Sequence, residues 1–251
     1  ADICGTMTAP VLFDVWRAPT DNETRVRFEW GLVGKGETRT SQQYDFTRVK
    51  TYECEADGNV IRVKGMLSAN SRRPIAPFEC TYTFVKGGVE VHMSGEVSKR
   101  NPYLPRLGFT FALKADDTAF SYFAGGPWGC YSDMEQHTKV GLYESTADKE
   151  YEPYPMPQEH GNHNRARMLT VGGLRFESEK DIEINVSRYS AEMLTMAEHP
   201  DVLKKGDTMY VRVDYKCSGI GSMSCGEKLP ECYRMTDGKF DLAFRIQPTN
   251  K

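Results

Sequence analysis

Several features that announce common functional classes are missing from this sequence. No run of eighteen apolar residues occurs, so nothing in it has the length of a membrane-spanning helix. No excess of basic charge is present either. The 32 Lys and Arg stand against 35 Asp and Glu, a formal charge of -3, which offers no attraction to nucleic acid or an anionic membrane surface. Seven cysteines (Cys4, Cys54, Cys80, Cys130, Cys217, Cys225 and Cys232) form neither an even framework nor a C-x-x-C pair. They read as free thiols of a reducing compartment, which favours the cytoplasm, and no zinc site is expected. The opening Ala1-Asp2-Ile3-Cys4 has no basic or apolar leader and no initial Met, which suits a piece of a longer chain. Helical periodicity is scarce, the best segment being a short turn over residues 190–197 capped by Ser190.

What the chain does have is alternation of period two. Val89, Val91, Met93 and Val97 interleave with Glu90, His92, Ser94 and Glu96, the pattern of a strand with one buried face. Cys80, Tyr82 and Phe84 alternate with Thr81 and Thr83 just before it, and Lys86-Gly87-Gly88 allows a tight return, so the two predict a hairpin. Residues 60–67, 109–113, 182–186, 209–215 and 240–246 repeat the alternation, and Asp57-Gly58 and Asp237-Gly238 precede two of these runs as turn signals. Strands without long helices between them predict one all-β domain over residues 1–251, an antiparallel sandwich rather than a doubly wound sheet. Its sheet edges are expected to be protected by loops and charges.

The irregular, aromatic-rich stretches 14–22, 122–133 and 151–167 are where binding groups are expected, since loops on a rigid β scaffold carry function more often than strands do. Taken singly, their motifs read as ordinary structure. Gly31, Gly34 and Gly36 beside Lys35 lack the Gly-Lys-Ser/Thr ending of a phosphate loop. His160 and His163 supply two ligands where a metal site needs more, so they read as surface or capping residues. Glycoside hydrolysis needs two carboxyl groups facing each other, yet no spacing marks Asp14, Asp21 and Glu23, or Asp133 and Glu135, as such a pair. They read as turn and capping residues.

Together the same segments look different. Trp16-Arg17-Ala18-Pro19-Thr20-Asp21-Asn22 resembles the signature that opens the small C-terminal domain of family 2 β-galactosidases. In the family's order there follow Pro105-Arg106-Leu107-Gly108, Gly126-Pro127-Trp128-Gly129-Cys130-Tyr131-Ser132-Asp133, Tyr154-Pro155-Met156-Pro157-Gln158-Glu159-His160-Gly161-Asn162, Ser187-Arg188-Tyr189-Ser190 and Gly219-Ile220-Gly221-Ser222. Collinear agreement across about two hundred residues is hard to reach by chance.

The resemblance implies an antiparallel β-supersandwich like that of galactose mutarotase, in a parent that hydrolyses terminal β-D-galactosides with retention. The family's catalytic glutamates belong to a TIM barrel that this chain does not resemble, so no catalytic residue is expected here. The implied partners are that barrel, the other domains of the same β-galactosidase, the galactoside substrate, and further copies of the parent in a homo-oligomer. No cofactor or metal is implied for this domain, while Mg or Na is left open for the parent. On the aglycone side of the active site the resemblance places Ser224 and Cys225, where well-known members carry a Trp, together with Glu159 and His160. Arg17, Asp21, Asn22, Arg106 and Arg188 are expected to be structural, satisfying backbone groups or pairing with buried acids. Two other readings stay open. One is a free carbohydrate-binding module stacking sugars on Trp128, Tyr131, Tyr151 and Tyr154; the other is an aldose 1-epimerase-like enzyme, which needs a positioned His and carboxylate.

Overall fold

The computed structural model describes residues 5–23, 26–31, 42–69, 71–99, 101–221 and 227–249. Its strands are β1 (Leu12–Asp14), β2 (Thr47–Asp57), β3 (Val60–Ala69), β4 (Ala76–Val85), β5 (Gly88–Val97), β6 (Arg106–Lys114), β7 (Ala119–Gly126), β8 (Lys139–Thr146), β9 (Asn162–Val171), β10 (Leu174–Ser187), β11 (Thr208–Cys217) and β12 (Gly238–Pro248). Helix is confined to short pieces, of which α1 (Arg27–Trp30) and α2 (Ala191–Met196) are the α-helical ones. The all-β antiparallel expectation holds.

Pairing is antiparallel throughout, in the order β1-β6-β11-β10-β12-β5-β4-β3-β2, with β9 branching from β10 and β7 and β8 following it. The fourteen-residue β10 makes this compact. Its first part, Leu174 to Glu177, pairs with β12, and its last part, Glu183 to Ser187, pairs with β11. The register breaks between Glu177 and Ile182, so one strand turns a corner and serves two layers.

Alternation decides what fills the space between the layers. Val89, Val91, Met93 and Val97 of β5 are buried while Glu90, His92 and Glu96 face water, and the β4–β5 hairpin turns at Gly87, whose φ of +79° suits glycine. The centre is aromatic. Phe13 meets Phe78 edge-on at 5.2 Å, Phe111 meets Phe176 at 5.0 Å and Phe109 meets Phe244 at 5.6 Å. Each such ring, fully buried, contributes about 1.5–3 kcal/mol by removal from water. Ser190 caps α2, its hydroxyl accepting the Met193 N–H at 3.0 Å.

Two expectations need correction. The stretches read as irregular at 122–133 and 151–167 contain the end of β7 and the start of β9. The run Asn162-His163-Asn164-Arg165 has none of the usual strand formers, yet it pairs with β10 and its first three residues are buried. His160 and His163 are likewise buried rather than superficial, because this polar run packs into the end of the sandwich.

Candidate functional site

At one end of the sandwich, where β6 and β9 begin and β11 ends, five segments far apart in sequence meet. The buried guanidinium of Arg17 forks onto Glu23, Nη1 to Oε2 at 2.9 Å and Nη2 to Oε1 at 2.5 Å. It also donates to the carbonyls of Pro105 (3.2 Å), Ser218 (3.4 Å) and Gly219 (3.3 Å). Burial opposes its charge, but Glu23, together with nearby Cys217 and Glu159, outweighs this and leaves its pKa raised. Burial pushes the Glu23 carboxyl up, against the pull of Arg17.

The Gly219–Gly221 turn is held from two more directions. Asp133 accepts the N–H of Ile220 at 3.0 Å and of Gly221 at 2.6 Å, while Asn22 donates to the Ile220 carbonyl at 2.9 Å. A Cβ on Gly219 would lie 2.4 Å from Cγ of Asp133, so the carboxylate can approach only because that residue is glycine. The backbone N–H of Asp21 donates to Oε1 of Gln158 at 2.8 Å, and that of Glu159 to the Ala18 carbonyl at 3.2 Å, which ties segment 154–162 to segment 16–22.

Beneath this grip runs a chain of alternating charge. Asp14 accepts from Arg212 at 2.9 Å, and Arg212 reaches Asp214 at 3.1 Å. Asp214 also receives Nε and Nη2 of Arg106 at 2.8 and 2.5 Å, and Nη1 of Arg106 reaches Glu159 at 3.2 Å. Oε1 of Glu159 accepts from the Tyr131 hydroxyl as well, at 3.2 Å. Arg106, Asp214 and Tyr131 are almost wholly buried, and burial drives the Tyr131 phenol well above its ordinary range. Nearby, burial raises Glu183 to about 7, although the Cys217 N–H and Asn162 Nδ2, at 2.6 Å, favour its ionised form.

A cleft of about 370 Å³ opens beside this network, with Trp128, Tyr131, Tyr154, Glu159, His160 and Ile220 in its walls. A second cleft of about 330 Å³ shares Glu159 and His160 and is otherwise lined by Trp16, Arg106, Arg212 and their neighbours. Trp128 is 63% exposed and Tyr154 is also exposed, whereas Tyr131 is buried and Tyr151 half-buried. Nδ1 of His160 donates to the Gln158 carbonyl at 2.8 Å, and its ring meets Tyr151 edge-on at 5.4 Å. His163 lies deeper, Nδ1 on the Gly125 carbonyl at 2.9 Å and Nε2 on Glu150 at 3.1 Å. Among the described residues no three His, Cys, Asp or Glu side chains are arranged to hold a metal ion.

Of the residues singled out from the sequence, Arg17, Asp21, Asn22, Arg106, Glu159 and His160 come together here. Arg188 does not join them; it donates to the Gly206 carbonyl at 2.5 Å and lies 3.8 Å from Asp148. Ser224 and Cys225 lie outside the described residues. Sequence reading gave Gln158 no role of its own within its motif and missed Arg212, Asp214 and Glu183. Arg212 and Asp214 occupy the polar positions of an alternating strand, and that polar face is turned inward by distant groups, Asp14 and Trp16 against Arg212 and Arg106 against Asp214.

The motifs that converge on this end are those of one family. A family model described as the β-galactosidase small chain matches residues 4–246. The chain belongs to that family. It is 31% identical over 242 residues to a β-galactosidase of Actinobacillus pleuropneumoniae, covering 94% of this chain and 23% of that protein. With a β-galactosidase of Kluyveromyces lactis it shares 32% over 257 residues, 91% of this chain and 23% of the relative. The chain thus spans about a quarter of the length of these relatives. A galactose mutarotase-like protein from Lactobacillus casei superposes on 96% of this chain and 84% of its own, with a TM-score of 0.45 and 12% identity.

Proposed function

We propose that the chain is the non-catalytic small domain of a β-galactosidase, packed on a catalytic barrel carried by the rest of a longer polypeptide and walling the aglycone side of a site for retaining hydrolysis of β-D-galactosides. The observation that carries this reading is the convergence on Gly219–Gly221, which lines the Trp128 cleft through Ile220 and immediately precedes residues 222–226 in sequence: Arg17 and Asn22 of one motif and Asp133 of another fix its backbone. Rigid support of this kind suits a loop that has to be presented to a substrate.

The carboxylates of the buried network favour this role over that of a catalytic pair. A retaining enzyme needs one ionised nucleophile and one protonated acid facing the same bond. Here Asp214 is bound by two arginines, Glu23 by Arg17, and Glu159 by Arg106 and Tyr131. Glu183 has an acid's raised pKa but lines neither cleft and is bonded to Asn162. His160 and Trp128 are the groups suited to touching sugar. A carbonyl only accepts, so Nδ1 of His160 carries a proton, and in the neutral ring Nε2, which has no partner among the described residues, is an acceptor for a hydroxyl.

The test is hydrolysis of a chromogenic β-galactoside by the chain alone and by the chain mixed with the separately expressed remainder of its parent. Turnover only in the mixture is expected; turnover by the chain alone would refute a non-catalytic role. Exposed Trp128 and Tyr154 beside His160 favour a second reading, a free sugar-binding module, which predicts quenching of Trp fluorescence by galactosides without the remainder. His160 and Glu159 in one cleft also call for a polarimetric assay of α-D-galactose mutarotation, where catalysis by the chain would favour the epimerase reading.

A further inference from the structure

We propose that β2 is a docking edge for a second copy of this chain, the two β2 strands pairing antiparallel about a two-fold axis between Thr51 and Tyr52. Strand β2 ends the sheet order, and its outer edge pairs with no strand among the described residues. All eleven of its residues are exposed or half-exposed, including Val49, Tyr52 and Cys54. An edge this long and open is a template for another strand unless something blocks it.

The order of its charges picks out the partner. Arg48 and Lys50 precede Glu53, Glu55 and Asp57, so the strand is basic in its first half and acidic in its second. In a regular strand Lys50 and Glu53, three residues apart, would point to opposite faces. The register against β3 shifts between Thr51 and Glu53, making Tyr52 an extra residue. Arg48, Lys50, Glu53, Glu55 and Asp57 then pair with Ser68, Met66, Lys64, Arg62 and Val60, alternate residues of one strand and therefore one face. Val49, Thr51, Cys54 and Ala56 share the other.

An antiparallel copy centred on the bulge sets Arg48 opposite Glu55 of the second copy and Lys50 opposite Glu53, with Val49 opposite Cys54 on the reverse face. Two-fold symmetry doubles each contact, giving four opposite-charge pairs. A parallel copy in register would instead oppose like charges. Edge strands guarded against association carry charge that repels or desolvates any newcomer; β2 sorts its charge so that its own reversed copy is the complementary partner. The Lys64–Glu53 contact at 2.8 Å is exposed and leaves the carboxylate open to a second cation.

Charge swaps test this on the 251-residue chain by light scattering after gel filtration, with far-UV circular dichroism to check folding. The wild type is expected to run as a dimer at about 100 μM and to dissociate in 1 M salt, where exposed pairs are screened. The variants R48E/K50E and E53K/E55K, all-acidic and all-basic over residues 48–55, should each be folded monomers, their dissociation constants raised on the order of 10- to 100-fold. Mixed one to one, they should recover the dimer. In a Val49→Cys chain, mild oxidation should link position 49 to Cys54 of the other copy, and Cys54→Ser should abolish the link. A monomeric wild type, or two folded swap variants that fail to associate when mixed, overturns the proposal and leaves this edge to the remainder of a longer protein.

Discussion

The two ends of the chain's sheet system use charge in opposite ways. Arg17, Glu23, Arg106, Glu159, Arg212 and Asp214 are each buried against a partner, and these side chains brace the surrounding backbone. Along β2 equally charged residues stand in water, tied only to neighbours such as Lys64. In the first region a missing partner strands a charge in a low-dielectric interior, whereas in the second water replaces it at small cost. Charge is structural in the first region and is available for association in the second.

The sharpest way to break that comparison is Arg106→Met. It leaves Asp214 without its strongest partner and Glu159 with only Tyr131, so a loss of about 3–5 kcal/mol is expected in urea unfolding. A loss under 1 kcal/mol would mean that water reaches this network.

Glu183 gives the next largest effect. Its carboxyl titrates at about 7 in the folded chain against 4.5 when free, so the folded state holds the proton more tightly. Stability from this group is complete below pH 4.5 and is lost as pH rises through 7, by about 3 kcal/mol. Urea midpoints should fall over that window, and Glu183→Gln should flatten the fall.

Gly219→Ala forces Asp133 away from the Ile220 and Gly221 amides and should cost about 1–3 kcal/mol. In an assembled parent the proposed aglycone role predicts a raised KM for bulky aglycones, whereas loss of folded enzyme alone would lower apparent kcat and leave KM unchanged. The smallest effect belongs to the open region. Tyr52→Ala removes a ring that is 65% exposed and should change monomer stability by no more than about 0.5 kcal/mol in high salt; a loss near that of Arg106→Met would erase the contrast.

Legibility followed the same division. The β4–β5 hairpin, the strands through residues 209–215 and 240–246, and the Ser190 cap could be read directly, because period-two alternation, a Gly-Gly turn and a capping hydroxyl act over a few residues. β7, β8 and β9 were not read. β8 has no buried residue to mark one face, and β9 opens with Asn162-His163-Asn164, whose burial depends on Glu183, Gly125 and Glu150 arriving from elsewhere. The site was half legible. Collinear motifs identified Arg17, Asn22, Arg106 and Glu159, but Arg106 and Asp214 are 108 residues apart and nothing local joins them.

The sequence by itself determined an all-β chain, the places where many of its strands turn, and membership in a family whose motifs it carries in order. Those properties rest on local backbone preference and on residue identity. Only the tertiary structure decided which carboxylates are neutralised, that Asp133 grips the Gly219–Gly221 turn, and that the bulge at Tyr52 gathers the charges of β2 onto one face. Each of these depends on where a distant strand lies, and that is settled by packing the whole sheet around one aromatic core.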